Sequence, residues 1–231
     1  MATTLQLANS IAWAAPFLSY RPLTSGQNNE PALSSANTIL QTILSPPFTW
    51  RWNRKIVPFT TQPDVSDYTV QAADFGYIEL ATCNGFEMET EGLLAVDGEP
   101  ARPRFISAVL DDDNGNITFR LTPCHDQAYP VQAIYQKAAP LLLSPVSLWS
   151  PIPDWMSFVY NWGFLAMMAL YTDDPRSQLF SAKFVSTLLS VSEGLSEEQK
   201  AMFAEQWLTM ANQIQAGNLR ISQGAEARGA I

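Results

Sequence analysis

Apolar residues change period abruptly within Ala32–Arg54 (ALSSANTILQTILSPPFTWRWNR). Ala36, Ile39, Leu40, Ile43 and Leu44 recur at i, i+3, i+4, i+7 and i+8, which predicts a helix with one buried face. Pro46 and Pro47 end it, because each lacks an N–H and pushes its predecessor out of the α region. Phe48, Trp50 and Trp52 then alternate with Thr49 and Arg51, a strand period that sets three large rings on one side. These three rings are the expected structural anchor, since Trp and Phe bury more area than other side chains. They should hold a helix against a β structure.

Upstream, Leu5–Trp13 can form a short helix, and Gly26 to Asn29 mark a loop before Pro31. From Lys55 the pattern turns to short segments between turn residues: 56–60, 68–70, 77–82, 86–90, 105–110, 117–121 and 129–136. Asn114-Gly115 is a strong hairpin signal. Val131, Ala133 and Tyr135 are expected on one face of the last strand. Pro140 to Pro153 should cross the surface in extended form, with Leu141, Leu142, Leu143 and Trp149 tucked inward.

The remainder is helical in pattern. Asp154 is placed to cap a helix to about Tyr171. Asp173 or Asp174 with Pro175 opens a second, ending near Gly194. Ser196-Glu197-Glu198-Gln199 has capping-box spacing for a third, to about Ile221. The fold class is therefore α+β: a helical domain of one N-terminal and three C-terminal helices, with an inserted, mainly antiparallel β domain of about six strands. The expected divisions are 1–54 (arm and helix), 55–150 (β domain and crossing segment), 151–221 (helical) and 222–231 (flexible tail).

Charge and cysteines narrow the classes. Thirteen Lys and Arg against 22 Asp and Glu give a formal charge of −9, which argues against sequence-independent nucleic-acid binding, since that needs cations at phosphates. Between Glu87 and Asp113, eight acidic residues stand against Arg102 and Arg104, a net of −6. That stretch reads as a solvated β-domain face or as a surface that repels DNA, such as a conduit wall. Cys83 and Cys124 are the only cysteines; with no basic n-region or continuous apolar h-region at the start, a reducing compartment and no disulfide are expected. Trp155–Tyr171, interrupted by Asn161 and Gly163, is short for a membrane span and reads as a buried helix.

Catalytic chemistry is sparse. His125, the single histidine, adjoins Cys124, and neighbours on a strand point to opposite faces, so a turn is the better reading than a metal or thiol site. Residues 111–116 (DDDNGN) resemble a calcium loop, but placing Gly115 sixth puts Leu110 at the first ligand position, where an oxygen is required. No phosphate-loop, zinc-protease or serine-elbow motif occurs. Arg102 and Arg104 are expected to pair with Glu99 and Asp111. Trp155, Met156, Phe158, Trp162, Met167 and Met168 read as core. No enzyme, cofactor or metal is expected.

Three stretches resemble a known family. Trp50-Arg51-Trp52-Asn53-Arg54 follows a helix; Asp67-Tyr68 precedes Ala73-Asp74-Phe75-Gly76-Tyr77-Ile78; and Arg102-Pro103 leads through Ile117, Phe119, Leu121 and Pro123 to Tyr129, Tyr135 and Ile152-Pro153-Asp154. In this order, over residues 33–171, they are similar to the head-to-tail adaptors of tailed bacteriophages, the tail tubular protein A type, although Ala73 stands where that family has proline. The resemblance implies a non-enzymatic virion protein at the head–tail junction, made in the host cytoplasm. It implies a cyclic, usually twelve-fold homo-oligomer that meets the portal protein and the tail nozzle or tube, with genomic double-stranded DNA passing through the lumen without sequence-specific binding and with no membrane partner. The alternative is another phage structural component, such as a tail completion or baseplate-associated protein. By the same resemblance, the tail bearing Ile221, Arg228 and Ile231 is expected to dock on portal.

Overall fold

Five helices and seven strands form along the chain in a computed structural model that describes residues 3–18, 31–90, 99–112 and 114–215. The chain divides into two compact units, Met1–Ile43 with Pro140–Ile231, and Leu44–Ala139. The first is helical and the second carries the strands.

The helical unit holds α1 (Leu7–Ala14), most of α2 (Ala32–Leu44), α3 (Ser157–Tyr171), α4 (Ser177–Val191) and α5 (Glu197–Gln215). The predicted stripe of α2 is buried throughout, from Ala36 to Leu44. In α3, Gly163 to Leu170 are all buried, as befits a helix that is apolar all round. Gly163 lets neighbours approach closely: a Cβ there would stand 2.8 Å from Ile39 Cγ2 and 2.8 Å from Phe184 Cε2. At the start of α5, Ser196 N–H donates to Gln199 Oε1 at 3.0 Å and Gln199 N–H to Ser196 Oγ at 3.2 Å, the predicted reciprocal cap.

The β unit contains two antiparallel sheets. β1 (Arg54–Thr60), β7 (Pro130–Lys137), β3 (Phe75–Cys83) and β4 (Phe86–Met88) make the first, in the order β1-β7-β3-β4. β2 (Asp67–Gln71), β6 (Asn116–Thr122) and β5 (Phe105–Asp111) make the second, in the order β2-β6-β5. A parallel bridge from Glu89 to Phe105 connects β4's end to β5. Val131, Ala133 and Tyr135 share a buried face with Ile117, Phe119 and Leu121. At the β5–β6 turn, Gly115 has φ +77° and the Asp112 carboxylate accepts from the Asn114 and Asn116 N–H groups. The Asp112 carboxylate is spent on the turn.

Several expectations are corrected. The short helix read at Leu5–Trp13 forms as α1, so the described residues hold five helices where the expected helical domain counted four. Trp50–Trp52 is not a strand: Arg51–Asn53 is a 3₁₀ turn, closed by the Asn53 N–H on the Trp50 carbonyl at 2.9 Å. Residues 44–54 belong to the β unit, and 140–150 to the helical one. The crossing segment joins the helical unit through its own bonds: Leu142 N–H to Asn37 Oδ1 at 2.7 Å, and Trp149 Nε1–H to Ser10 Oγ at 2.9 Å. Of the four residues expected to turn inward, Leu142 and Trp149 do, while Leu141 and Leu143 are exposed. Asp154 lies in a 3₁₀ turn before α3 and does not cap that helix. Its carboxylate accepts instead from Thr3 Oγ1–H (2.6 Å), Thr4 N–H (2.9 Å) and Thr4 Oγ1–H (2.8 Å), fastening the N-terminal segment.

Candidate functional site

The predicted anchor is a stack. Phe48 and Trp50 lie nearly parallel with centroids 6.0 Å apart, and Trp50 and Trp52 follow at 5.6 Å. Phe48 and Trp50 are buried and Trp52 half-buried. The 3₁₀ turn thus keeps the rings together without strand geometry. The surrounding polar groups are backbone-directed: Tyr77 Oη–H donates to the Phe48 carbonyl, Gln136 Nε2–H to the Trp50 carbonyl at 3.2 Å, and Asn53 Nδ2–H to the Lys137 carbonyl at 2.9 Å. Burial, with the Glu79 charge adding to it, pushes the Tyr77 phenol up to about 12. This arrangement ties residues 48–53 to β3 and β7.

A second polar cluster has the same character. The Tyr135 hydroxyl donates to Asp74 Oδ1 at 2.6 Å, and Lys55 Nζ reaches the same oxygen at 3.2 Å. Burial and the Asp74 carboxylate raise the Tyr135 phenol to about 12. With Tyr135 fully buried, no substrate atom can reach that hydroxyl, and the trio braces β1, β3 and β7.

His125 and Cys124 lie in the loop between β6 and β7. The Cys124 thiol meets Ser66 Oγ at 2.9 Å, while the His125 ring is wholly buried and stacks on Tyr68 at 5.7 Å. They do not converge on a common ligand position. Among the described residues, no group of three or more His, Cys, Asp and Glu side chains is arranged to hold a metal ion, and no helix is long and apolar enough to cross a membrane.

The acidic stretch is described on either side of residues 91–98. Glu87 and Glu89 line a shallow depression of about 470 Å³ with Glu79, Leu80, Met88 and Thr90. The arginines in this stretch make no ion pair with Glu99 or Asp111 among the described residues, contrary to expectation. Instead the Arg102 guanidinium lies 3.9 Å from the Phe86 ring centroid, a cation–π contact.

Sequence periodicity missed the exposed apolar surface of the helical unit. Met156, Met167 and Met168 are core, but Trp155 is 59% and Phe158 39% exposed. Leu141, Leu143, Val146 and Leu148 precede them, also exposed, as are Leu179 of α4 and Met202 and Leu208 of α5. α5 buries only Trp207 and Ala211 over 19 residues. A signal existed in the low apolar share of α5, but the three consecutive leucines at 141–143 give no in–out alternation to read. The expected docking residues Ile221, Arg228 and Ile231 lie outside the described residues.

Comparison with protein-family models and with curated proteins gives no match to this chain.

Proposed function

We propose that this protein is a structural subunit of a phage head-to-tail junction, assembling as a cyclic homo-oligomer beneath the portal. Genomic DNA passes through the ring, and the tail nozzle or tube attaches to it. The observation that carries this reading is the distribution of exposed apolar side chains. Nine of the 13 large hydrophobics exposed among the described residues belong to the helical unit. Six of these nine fall within residues 141–158, a concentration that suits an interaction surface. Head-to-tail contacts between unlike surfaces of successive copies make rings when the rotation between copies closes, and exposed apolar residues on both the crossing segment and α5 suit such contacts.

Two further features support it. The β unit is inserted between two parts of the helical unit, and the adaptor resemblance rests on three motifs in order along residues 33–171. The net charge of −9 suits a wall past which DNA slides, because fixed negative charge repels phosphates. The polar clusters described above brace the fold.

The test is assembly of the full chain, alone and with portal rings, followed by light scattering and negative-stain microscopy. Rings are expected, and Trp155→Glu should abolish them while leaving the circular dichroism unchanged. A chain that stays monomeric with portal present, and that purified particles lack, would overturn the proposal. A particle copy number of about a dozen would separate an adaptor from a tail completion or baseplate-associated protein. Deleting residues 222–231 should weaken attachment to portal-bearing heads and leave the melting point unaltered.

A further inference from the structure

The chain's one histidine is placed where a charge cannot be accommodated. His125 is 0% exposed, and neither ring nitrogen has a hydrogen-bond partner among the described residues. One face of the ring stacks on Tyr68, with centroids 5.7 Å apart and planes inclined by 24°. Tyr68 in turn holds the loop that joins β1 to β2: its hydroxyl donates to the Val65 carbonyl at 2.8 Å and accepts the Gln62 N–H at 2.8 Å. The His125 carbonyl accepts the Asp64 N–H of that loop at 3.2 Å. Thr61 N–H to the Tyr129 carbonyl at 2.9 Å, and the Ser66–Cys124 contact, complete the closure. The imidazole is therefore the buried centre between the 61–66 and 123–129 loops.

We propose that His125 is an acid-sensitive latch: protonation of its ring releases the 61–66 and 123–129 loops from each other while both sheets stay folded. A buried imidazolium without an acceptor loses its hydration and gains nothing for it. Opening the loops restores water to the ring, so the open state takes up the proton. The groups around the ring do not offset this. Tyr68 uses its hydroxyl on the backbone, the Cys124 thiol is bonded to Ser66, and the Asp126 carboxylate accepts the Tyr129 hydroxyl at 2.8 Å. Asp64, across the closure, contributes its N–H to the His125 carbonyl. Burial holds the imidazole below its ordinary pKa, against the opposing pull of the Pro123 carbonyl, which nears the ring without meeting hydrogen-bond geometry, and of the Asp126 charge. A histidine depressed in the closed state stabilises it above the open-state value, and that stability is lost as pH falls from there towards the closed-state pKa.

Because there is only one histidine, deuterium exchange at its ring Cε1–H, read by mass spectrometry on the full chain, reports this site whatever the oligomeric state. Amide exchange is followed in the same samples from about pH 7 to pH 4.5. The ring should titrate below the ordinary histidine value. Amides of 61–66 and 123–129 should lose protection relative to intrinsic rates, by up to about tenfold per pH unit below the open-state pKa, while amides of 131–136 stay protected. His125→Phe, which keeps a flat apolar ring against Tyr68, should remove the pH dependence of the loops. A ring titrating at the ordinary value, loops whose protection does not change with pH, or the same loss of protection in His125→Phe would each overturn the proposal. Should that variant fail to fold, the wild-type ring titration and loop exchange decide by themselves.

Discussion

Trp149 is the centre from which α1 is held, and the Ser10 hydroxyl is its polar partner. The indole is 0% exposed, stacks on Tyr160 at 4.6 Å and 14°, and donates Nε1–H to Ser10 Oγ at 2.9 Å, itself buried. Ser10→Ala leaves the indole N–H buried and unbonded, which costs about 1–3 kcal/mol. Trp149→Ala removes the whole ring, and a truncation of that size costs about 3–5 kcal/mol. Trp149→Phe keeps a ring against Tyr160 but leaves a small void, with an expected cost of about 1–2 kcal/mol. Ser10 can then satisfy itself on its own helix, as serines commonly do. In the double variant Ser10→Ala/Trp149→Phe no indole N–H remains to be stranded, so its cost should fall short of the summed single costs by about 1 kcal/mol. Urea titrations followed by far-UV circular dichroism measure the wild type and all four variants. Additive costs, or a Ser10→Ala variant that unfolds at the wild-type urea concentration, would refute the argument that this bond secures α1.

Gly163→Ala tests packing against propensity. Helix preference alone would stabilise by about 1 kcal/mol, but the new methyl would press on Ile39 and Phe184 at 2.8 Å, and overpacking costs about 1–3 kcal/mol. Net destabilisation in thermal melts is expected, and a raised melting temperature would show that the junction yields. Trp50→Ala, which removes the middle of the ring stack, should cost about 3–5 kcal/mol, and Trp52→Ala less, because Trp52 is only half-buried; equal costs by urea titration would contradict the burial argument. The bonds from Thr3 and Thr4 hold the Asp154 carboxyl down at about 2. A carboxyl depressed in the folded state contributes fully above its unfolded value of about 3.9 and loses that contribution as pH falls towards 2. Protection of the amides of residues 3–8, relative to intrinsic rates, should therefore hold at about pH 4 and fall towards pH 2, while Asp154→Asn should lower it at neutral pH. Unchanged exchange in that variant would remove Asp154 as the fastener.

Where a single local rule dominates, the sequence by itself determined the structure. The stripe of α2 faces a core because its five apolar positions leave no other face to bury. Asn114-Gly115 turns because glycine accepts a positive φ, and Ser196 with Gln199 caps α5 because their spacing matches the first helical turn. Alternation in β7 is legible because Val131, Ala133 and Tyr135 are buried while Pro130 and Gln132 between and beside them are exposed. Tertiary structure decided the rest. Phe48, Trp50 and Trp52 had a strand's period, yet the Trp50 carbonyl closes a turn on Asn53 and the rings still stack, so periodicity could not distinguish the two backbones. Asp154 had a capping residue's position, but the Thr3–Thr4 segment, about 150 residues earlier, takes its oxygens. Leu141 to Leu143 are chemically identical, and only the pairing of Leu142 with Asn37 decides which of them faces inward. His125 was set aside as a turn residue, because nothing local reveals that Tyr68 covers its ring. Hydrogen bonds and burial between distant segments are set by the whole fold, and no window of sequence contains both partners.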